Sequence, residues 1–562
     1  MKRYITPFLV GLLLILLSSN SLWAVTITWT GTSSTEWTTA GNWSTGARPT
    51  NSDDVIIPTA PSGGRFPLLG INTDGRCGSL IVKTGATLTI GSATRGPDLY
   101  VSTASGLTGN ITIENGAEVK IVNAASYLWI YGIYTNNGII TITEGELRFA
   151  GTTANCKIAT PCTDTGKAIK AIRIPNTINN QLNIADGLAV EISGAGMFYL
   201  SPAGDLGIIN AGTNTTLITY NSWGSTRGQF NRGTSTVVLR GTGTVPYNST
   251  VPSYRYFHNL TIDGTFSLAA DTYVFGNIEI TSQGNLSAGA YKLYVYGNWT
   301  NNGVFNAGTG EVVLGDITPC NIAGITTFNR LQLGSGSGKV ITMSVGADIR
   351  ASSVLTITAN AILNGSPGGG ANATLTIPSG CAFVTNGTWQ PQTGTFVWQK
   401  QDPDNLPALS NGFYNLTIES AGNVTPNGGL NIGNNLYIKT GTFNGGTGLT
   451  HNLGGDWIQD GLFSSGTSTV RFTGGDSEVL KSPSATGVLT FNNLTVSSTN
   501  LTKIDYGKSV TVTGTFNITA GQFQAGTATV FTTGSWSDSG SFSADTSEVI
   551  WNGTTIPEQS GG

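Results

Sequence analysis

Histidine can supply only two groups for acid–base or metal chemistry, because His258 and His451 are the only histidines among the 562 residues. His258 occupies a place that similar segments of the chain fill with Asn329, Tyr414 and Asn492, and this exchange is typical of packing or surface variation. A catalytic base needs specific partners that hold it in position. We therefore expect neither histidine to be catalytic, and the sequence offers no serine–histidine–carboxylate triad.

Close pairs of carboxylates are the next candidates, since glycoside hydrolases use two carboxylates a few ångströms apart. Asp53 and Asp54 are more typical of a turn that leads into a strand, and Asp402 and Asp404 belong to the turn-forming segment QDPDNLP. Together with Asn405, the second pair is a weak calcium candidate, because Ca²⁺ prefers six or more oxygen ligands. We predict no cofactor and no enzymatic activity, with a polysaccharide lyase or glycoside hydrolase as the minor alternative.

The chain has five cysteines, too few and too scattered for a disulfide framework. Cys156 and Cys162 are the only two that lie close in sequence. They are a disulfide candidate if the protein reaches an oxidising compartment. Separate thiols, or a metal site that lacks histidine partners, remain the alternatives at this point.

Tryptophans recur at comparable places along the second half of the chain, and this series comprises Trp223, Trp299, Trp389, Trp457 and Trp536. One interpretation is that each indole is buried under the phenylalanine that follows it. The other is that the indoles form exposed platforms on which sugar rings stack, which makes these five residues carbohydrate-binding candidates. A large aromatic residue at a fixed place in a repeat usually packs in the core, which favours the first interpretation.

These residues lie in an internal repeat of about 78 residues. Its opening phrase recurs four times, as FHNLTI, FNRLQL, FYNLTI and FNNLTV from Phe257, Phe328, Phe413 and Phe491. The segment between the second and third copies is the longest. We assign residues 223–562 to these repeats, with the last one truncated, and expect further repeats or an anchor beyond the sequence given.

Short runs rich in β-branched and aromatic residues alternate with Gly, Asn and Ser, as in NLTI at 259–262 and KLYV at 292–295. Such runs are typical of short strands between tight turns, and no window has the pattern of an amphipathic helix. Their even spacing predicts an all-β, elongated parallel β-helix (β-solenoid) with four coils in each repeat. Tandem small β-sandwich modules are the alternative, but a sandwich needs about seven strands per module.

The chain begins with features of an export signal, since Lys2 and Arg3 precede an apolar run that ends near Leu17. We assign residues 1–24 to a signal peptide, 25–60 to an N-terminal cap that covers the first coil, and 61–222 to irregular β-helix coils. The apolar run is too short to cross a bilayer, and no transmembrane segment is predicted in the mature chain.

Charged residues make up 10% of the chain, and its net charge is −4. A nucleic-acid partner is therefore not expected, because phosphate binding requires a basic surface. The hydrophobic fraction of 39% is high enough for a folded chain. These features together predict a secreted protein that is extracellular or located on the outer cell surface.

The segment from Thr28 to Pro58, TWTGTSSTEWTTAGNWSTGARPTNSDDVIIP, precedes Gly-rich coils such as GATLTI. This pattern resembles the N-terminal part of large secreted parallel β-helix proteins and filamentous adhesin-like surface proteins of Gram-negative bacteria. The resemblance implies a structural scaffold for attachment or surface coating, with a polysaccharide or a host-matrix surface as partner. A carbohydrate-binding or carbohydrate-processing β-helix is the alternative function, which a cluster of Asp, Arg and aromatic side chains on one face would support.

Overall fold

The structure is a computed structural model, and it shows an all-β chain that forms a parallel β-solenoid of about 20 turns, as the sequence predicts. The chain divides into two compact units, Met1–His258 and Asn259–Gly562. The predicted signal peptide lies outside the described residues, apart from Ala24. The structure describes residues 24–103, 108–152, 156–163, 168–170, 172–175, 180–192, 198–199, 207–224, 228–246, 252–315, 320–334, 339–366, 372–475, 477–479, 488–504, 507–526 and 530–553.

The first unit contains three sheets that follow its three faces, together with the strands that lead to its end. The strands of the first sheet are Val25–Thr28, Asp53–Ile57, Ser79–Val82, Ile111–Ile113, Ile133–Asn136, Lys157–Ile158, Gln181–Ile184, Ile208–Asn210 and Gln229–Asn231. Those of the second are Gly75–Cys77, Leu99–Val101, Tyr127–Ile130, Glu146–Phe149, Ile172–Arg173 and Phe198–Tyr199. Those of the third are Leu68–Leu69, Thr87–Ile90, Glu118–Ile121 and Ile139–Ile142. The later strands are Ala189–Ile192, Thr216–Thr219, Thr236–Leu239, Thr242–Val245 and Tyr256–Phe257, and the 3-10 helices are Ala40–Asn42 and Pro252–Arg255.

The second unit begins with the strands Asn259–Ile262, Thr265–Leu268, Thr272–Val274, Ile278–Ile280, Asn285–Ser287, Lys292–Val295, Trp299–Asn301, Val304–Asn306, Glu311–Leu314, Cys320–Leu333, Val340–Met343, Asp348–Ile357, Ile362–Asn364, Thr374–Ile377, Ala382–Thr385, Thr388–Gln390 and Thr395–Trp398. It continues with Asn415–Val424, Asn431–Ile432, Leu436–Asn444, Thr450–Leu453, Trp457–Gln459, Leu462–Ser464, Thr469–Phe472, Ser477–Glu478, Val488–Phe491, Asn493–Val496, Leu501–Lys503, Ser509–Ile518, Gln522–Gln524, Val530–Asp538, Ser541–Ser543 and Glu548–Trp551.

Each strand pairs in parallel with the corresponding strand of the next coil. Leu260 pairs with Ile278, which pairs with Trp299, which in turn pairs with Ile322. A coil therefore takes about 20 residues, within the range of solenoid repeats. Because β-sandwich modules are built from antiparallel sheets, this parallel pairing excludes the tandem-sandwich alternative.

Alternation along each strand separates the core from the surface. In Asn259–Ile262, for example, Leu260 and Ile262 are buried while Asn259 and Thr261 are partly exposed. The inward side chains are mostly Val, Ile and Leu, and they form a continuous core inside each unit. Burial of this apolar surface is the main stabilising contribution to such a fold.

Asparagines at the coil corners connect successive coils through their side chains. The Oδ1 atom of Asn259 accepts a hydrogen bond from the backbone N–H of Asn277 at 2.9 Å. Asn277 accepts from Asn298 at 3.0 Å, and Asn298 accepts from Asn321 at 2.8 Å. A buried or partly buried backbone N–H group needs a hydrogen-bond acceptor, and this ladder of asparagine side chains supplies one to each successive coil. These hydrogen bonds between successive coils explain why Asn recurs at these positions.

The structure corrects the expectation of four whole coils per repeat. The tryptophan strand Trp299–Asn301 pairs with Ile278–Ile280, on the face where the repeat began with Leu260. The strand that closes the same repeat, Glu311–Leu314, pairs with Lys292–Val295, which lies in a different sheet. The next opening strand then pairs with the closing strand, as Arg330 pairs with Glu311. Each repeat therefore takes slightly less than four coils, and the next repeat begins on another face.

Three tryptophans organise the segment at the start of the first unit, where the sequence predicts a cap. Trp29 and Trp37 both pack edge-on against Trp43, with ring centroids 4.9 and 4.7 Å apart. All three are almost fully buried. Beside them the side chain of Asn42, also buried, accepts hydrogen bonds from the backbone N–H groups of Ser33 and Ser34 at 2.8 and 2.7 Å. That this segment covers the first coil stays a prediction.

We expect Asn42→Asp to lower the free energy of unfolding of this segment by about 2 kcal/mol. The substitution replaces the buried Nδ2 donor with an oxygen, so the two acceptors that it serves lose their hydrogen bonds. The Asn42 Nδ2 group donates to Glu36 O at 2.8 Å and to Ser34 Oγ at 2.9 Å, and a carboxylate oxygen there would repel Glu36 O. Urea unfolding with hydrogen exchange over residues 25–60 measures the effect. Asn72→Asp introduces the same charge at an exposed residue and should cause little change. Equal stability of the two variants would contradict the prediction.

Candidate functional site

The tryptophan series is largely buried, which is incompatible with a row of sugar-binding platforms. Trp299 and Trp457 have no exposed surface, and Trp223 and Trp389 are only 1% and 3% exposed. Trp536 is half-buried. A platform requires an indole face that is open to solvent, so the carbohydrate-platform interpretation is wrong for the first four residues.

Each buried indole belongs to a small aromatic cluster built from the two repeat phrases. Trp299 packs edge-on against Phe305 and at a tilt against Phe328, with both ring centroids 5.0 Å away. The same cluster recurs with Trp457, Phe463 and Phe491, at centroid distances of 4.7 and 5.3 Å from the indole. The phenylalanine that opens one repeat therefore closes the cluster of the preceding repeat.

Trp389 does not occupy the place of Trp299 in its own repeat. Phe383 pairs with Leu355 in the strand position that Trp457 occupies against Leu436. Trp389 follows Phe383 by six residues, just as Phe305 follows Trp299. The tryptophan and the phenylalanine have thus exchanged places in this repeat. The phrase GTWQPQTGTFVW alone did not indicate this exchange, because its tryptophan was aligned with Trp299.

The predicted disulfide is not formed, since Cys156 and Cys162 are separate, fully buried thiols. Burial raises the pKa of the Cys156 thiol to about 12, and it raises the pKa of Cys320 to about 12 as well. A thiolate is the reactive and metal-binding form of cysteine, so these thiols are poor nucleophiles and poor ligands near neutral pH. Their contribution is to packing.

Among the residues that the structure describes, neither histidine belongs to a group of three or more His, Cys, Asp and Glu residues that could hold a metal ion. His451 is buried, with its ring packed edge-on against Phe443 and its Nε2 atom 2.8 Å from Gly445 O. Its Nδ1 atom accepts from the backbone N–H of Leu430 at 3.3 Å, so Nε2 carries the proton. Burial lowers the pKa of His451, and burial together with Arg232 lowers the pKa of His258.

The carboxylate pairs serve turns and coil contacts. Asp53 accepts from the backbone N–H and the hydroxyl of Thr50 at 2.8 and 2.7 Å, directly before its strand. In the calcium candidate, both Asp402 oxygens accept from Thr425, at 3.0 and 2.8 Å.

Asp404 lies 3.1 Å from the ammonium group of Lys400, and Asn405 is exposed to solvent. A lysine therefore already neutralises one of the carboxylates that the ion would need. The described part of the chain contains no group of three or more His, Cys, Asp and Glu residues suited to a metal ion.

The structure does bring Asp, Arg and aromatic side chains together on one face of the first unit. We call Arg76, Tyr100, Trp129 and Arg148 the arginine–aromatic stack, since these residues follow one another at equivalent positions of four neighbouring strands. The two rings stack with centroids 5.4 Å apart. Arg76 lies 4.7 Å from the Tyr100 ring and Arg148 lies 4.9 Å from the Trp129 ring, so cations cover the outer face of each ring.

Asp98 ties this stack together from the side. One of its carboxylate oxygens accepts from Trp129 Nε1 at 2.9 Å and from the Tyr100 hydroxyl at 3.2 Å. The other accepts from the backbone N–H of Tyr127 at 2.9 Å. Both oxygens of Asp98 accept hydrogen bonds within the protein, and both faces of each ring are covered by another ring or by an arginine. We therefore interpret the stack as a contact that holds neighbouring coils together rather than as a surface for catalysis.

Burial raises the pKa of Asp98 above its ordinary value, so the protonated carboxyl favours the folded state. The stability that Asp98 contributes is therefore present below its unfolded pKa of about 3.9 and is lost as pH rises through the folded pKa. We expect the stability advantage of the wild type over Asp98→Asn to shrink over that range. Urea midpoints measured across a pH series test this.

Glu114 provides a control of opposite sign for the same pH series. Its hydrogen bond from Lys83 lowers the pKa of the carboxyl, so its contribution is present above its unfolded pKa and is lost as pH falls through the folded pKa. The advantage of the wild type over Glu114→Gln should therefore grow with pH. A difference between the wild type and Asp98→Asn that does not change with pH would contradict the assignment.

A concave surface on the second unit has a volume of about 330 Å³. We call it the Asn431 groove, and the residues that matter for its chemistry are Asn411, Tyr414, Asn431, Gly433, Asn452 and Thr473. Phe413, Ile432, Leu453 and Phe472 point into the core on successive coils.

The residues that directly follow those four core positions are Tyr414, Gly433, Gly454 and Thr473. Two glycines in succession leave a depression in the outer surface, with the tyrosine at one end and the threonine at the other. Asparagine amides line the side of this depression. The Asn452 Nδ2 group donates to Asn431 Oδ1 at 2.7 Å, and Asn411 Nδ2 donates to Trp389 O at 3.2 Å.

The sequence contained two signals of this groove that reasoning from motifs missed. Tyr414 occupies the variable second position of the opening phrase, where the other copies have histidine or asparagine. The groove also begins at the end of the longest repeat, which supplies Asn411, and insertions into repeats map to loops that often form a binding face.

Comparison with known families gives one partial match, in which residues 28–149 match a Domain of unknown function (DUF8693). The match includes the three buried tryptophans of the first unit and the arginine–aromatic stack. No curated protein matches the chain. No solved structure matches it either. Within the described ranges, no helix has the length and apolar composition required to cross a membrane.

Proposed function

We propose that this protein is a secreted β-solenoid scaffold of a bacterial cell surface that supports attachment. The observation that carries the proposal is the parallel solenoid itself, in which each unit has a mainly apolar core and the second unit has a groove whose lining contains no charged residue. Short side chains and corner asparagines make such a surface regular and rigid, which suits a scaffold.

The mode of attachment differs from simple multivalency along one row. Because each repeat begins on a different face, equivalent residues of successive repeats do not point to the same side of the second unit. Weak contacts at several repeats increase the overall affinity only if one partner can bind all of them simultaneously. We therefore assign attachment to individual surfaces such as the Asn431 groove.

Surface exposure tests this function directly. Intact cells of the producing bacterium are treated with a protease that cannot enter them, and the loss of the full-length chain is followed by immunoblot beside a cytoplasmic control protein. We expect the chain to be cleaved while the control survives, and a deletion strain to attach less to polysaccharide-coated surfaces. A chain that is protected until the cells are lysed would overturn the proposal.

A carbohydrate-processing role is the second candidate, and the cluster around Asp98 is the observation that favours it. Asp98 has a raised pKa, as a general acid requires, but its two oxygens accept three hydrogen bonds from the protein. We propose binding without catalysis. Release of reducing ends or unsaturated sugars from polysaccharides by the purified chain, abolished by Asp98→Asn, would overturn that choice.

A further inference from the structure

We infer that the Asn431 groove is a binding site for a neutral polysaccharide chain. The inference rests on the proposed attachment role and names the ligand class for it. The groove is open to solvent along its length and lies on a single unit, so a chain molecule can enter it from the side.

The chemistry of the groove matches uncharged sugar hydroxyls. An amide side chain both donates and accepts hydrogen bonds, so it can bind two neighbouring hydroxyl groups of one sugar ring. Among the described residues, Asn431 Nδ2, Asn452 Oδ1 and Asn411 Oδ1 have no protein partner. These three atoms therefore remain available to a ligand along the side of the groove.

The aromatic component comes from Tyr414 at one end. Its ring lies beside Gly433, whose added Cβ would meet the ring edge only at 3.7 Å. The residue is half-exposed, so its ring offers an apolar surface to the C–H groups of a pyranose. Small-ligand sites commonly combine one aromatic surface with a few convergent polar groups, and the groove has both.

Charge argues for a neutral ligand rather than an acidic one. None of the residues that line the groove is charged. Arg471 follows Asn452 in register on the next coil, but it does not line the groove, and its Nε atom donates to Ser497 Oγ at 3.1 Å. A site for uronic acids or sulfated sugars would require cations at its wall.

Filling the groove is the sharpest test, and the chain offers a matched control. Gly433→Gln should block the groove without backbone strain, because the nearest atoms to an added Cβ lie at 3.7 Å. Gly380→Gln places the same side chain at another exposed glycine, whose nearest neighbour would be Ser352 O at 3.5 Å, outside the groove. Two further variants, Tyr414→Ala and Asn452→Leu, remove the ring and one amide separately.

Binding of the full mature chain and of each variant is measured by affinity electrophoresis and calorimetry against neutral polysaccharides (glucan, mannan, galactan and xylan) and against alginate and hyaluronan. We expect at least one neutral polysaccharide to bind, with affinity reduced about tenfold or more by Gly433→Gln and Tyr414→Ala and unchanged by Gly380→Gln. Circular dichroism and melting temperature confirm that each variant is folded.

Three results would overturn the inference: no binding to any neutral polysaccharide, binding restricted to alginate or hyaluronan, or binding that survives Gly433→Gln. These results do not test the attachment role, which is tested separately by protease treatment of intact cells. A chain that binds glucan in solution but is absent from the cell surface contradicts the proposed function and leaves the groove assignment standing.

Discussion

Replacing Trp299 with alanine is expected to lower the free energy of unfolding of the second unit by about 3 to 5 kcal/mol, the range for a fully buried large aromatic residue. The indole has no exposed surface and contacts Phe305 and Phe328. Its Nε1 group also donates to the buried hydroxyl of Thr326 at 3.1 Å. The variant therefore leaves a cavity and removes one of the two hydrogen bonds that the Thr326 hydroxyl accepts, the other coming from Asn301 Nδ2 at 3.1 Å. Urea unfolding followed by circular dichroism measures the loss.

Two further variants separate core packing from a general effect of losing tryptophan. Trp551 is 37% exposed, so Trp551→Ala should change stability by less than about 0.5 kcal/mol. The double variant Trp299→Phe with Phe305→Trp recreates the arrangement that the chain already uses at Phe383 and Trp389, and it should recover much of the lost stability. If Trp299→Ala were as stable as Trp551→Ala, the aromatic cluster would not be a core element.

Gly474→Ala is expected to destabilise the second unit by about 3 kcal/mol, because an extra carbon at a close contact forces the backbone to move. A Cβ at Gly474 would lie 1.7 Å from the carbonyl oxygen of Gly454 on the preceding coil and 2.5 Å from its carbonyl carbon. Neither atom belongs to a flexible side chain. The two coils would have to separate locally, and thermal melting together with hydrogen exchange around Gly454 would show it.

The neighbouring glycine is the control. A Cβ at Gly475 would have only Asn500 Nδ2 nearby, at 3.9 Å. Gly475→Ala should therefore stabilise the protein by about 0.4 to 1 kcal/mol, because it restricts the unfolded chain without strain in the folded one. Similar melting temperatures for the two alanine variants would mean that the close approach of the coils at Gly474 is not a real constraint.

Strands were predictable where alternation of apolar and polar residues is strict. NLTI and KLYV were expected at 259–262 and 292–295, and the structure has strands Asn259–Ile262 and Lys292–Val295. Short strands such as Val304–Asn306 were not predicted, because three residues are too few to show a period of two. The fold class could be predicted because it depends on the spacing between strands, which can be read from the sequence. The sheet to which each strand belongs depends on the geometry of the coil corners, which cannot be read from it.

Side-chain burial at the candidate sites was harder to predict. The direction of Trp299 depends on the corner that precedes it, so composition could only favour burial over exposure. The Asn431 groove arises from absent side chains at Gly433 and Gly454, and glycine in a sequence is read first as a turn residue. The arginine–aromatic stack joins residues such as Arg76 and Arg148 through the register of four strands, which spacing alone does not fix.

The change of face between successive repeats affects how a chain of this kind can diversify. In a solenoid whose repeat equals whole coils, duplication of a segment places each new side chain directly in line with its parent, and a change in one copy interrupts a continuous stripe. Here a duplicated segment turns to a new side: the opening Leu260 is in line with Ile278 and Trp299, whereas its counterpart Leu331 pairs with Val312 in another sheet. Neighbouring copies can share an aromatic interior and still differ freely outside, so a single repeat can specialise without disturbing the others.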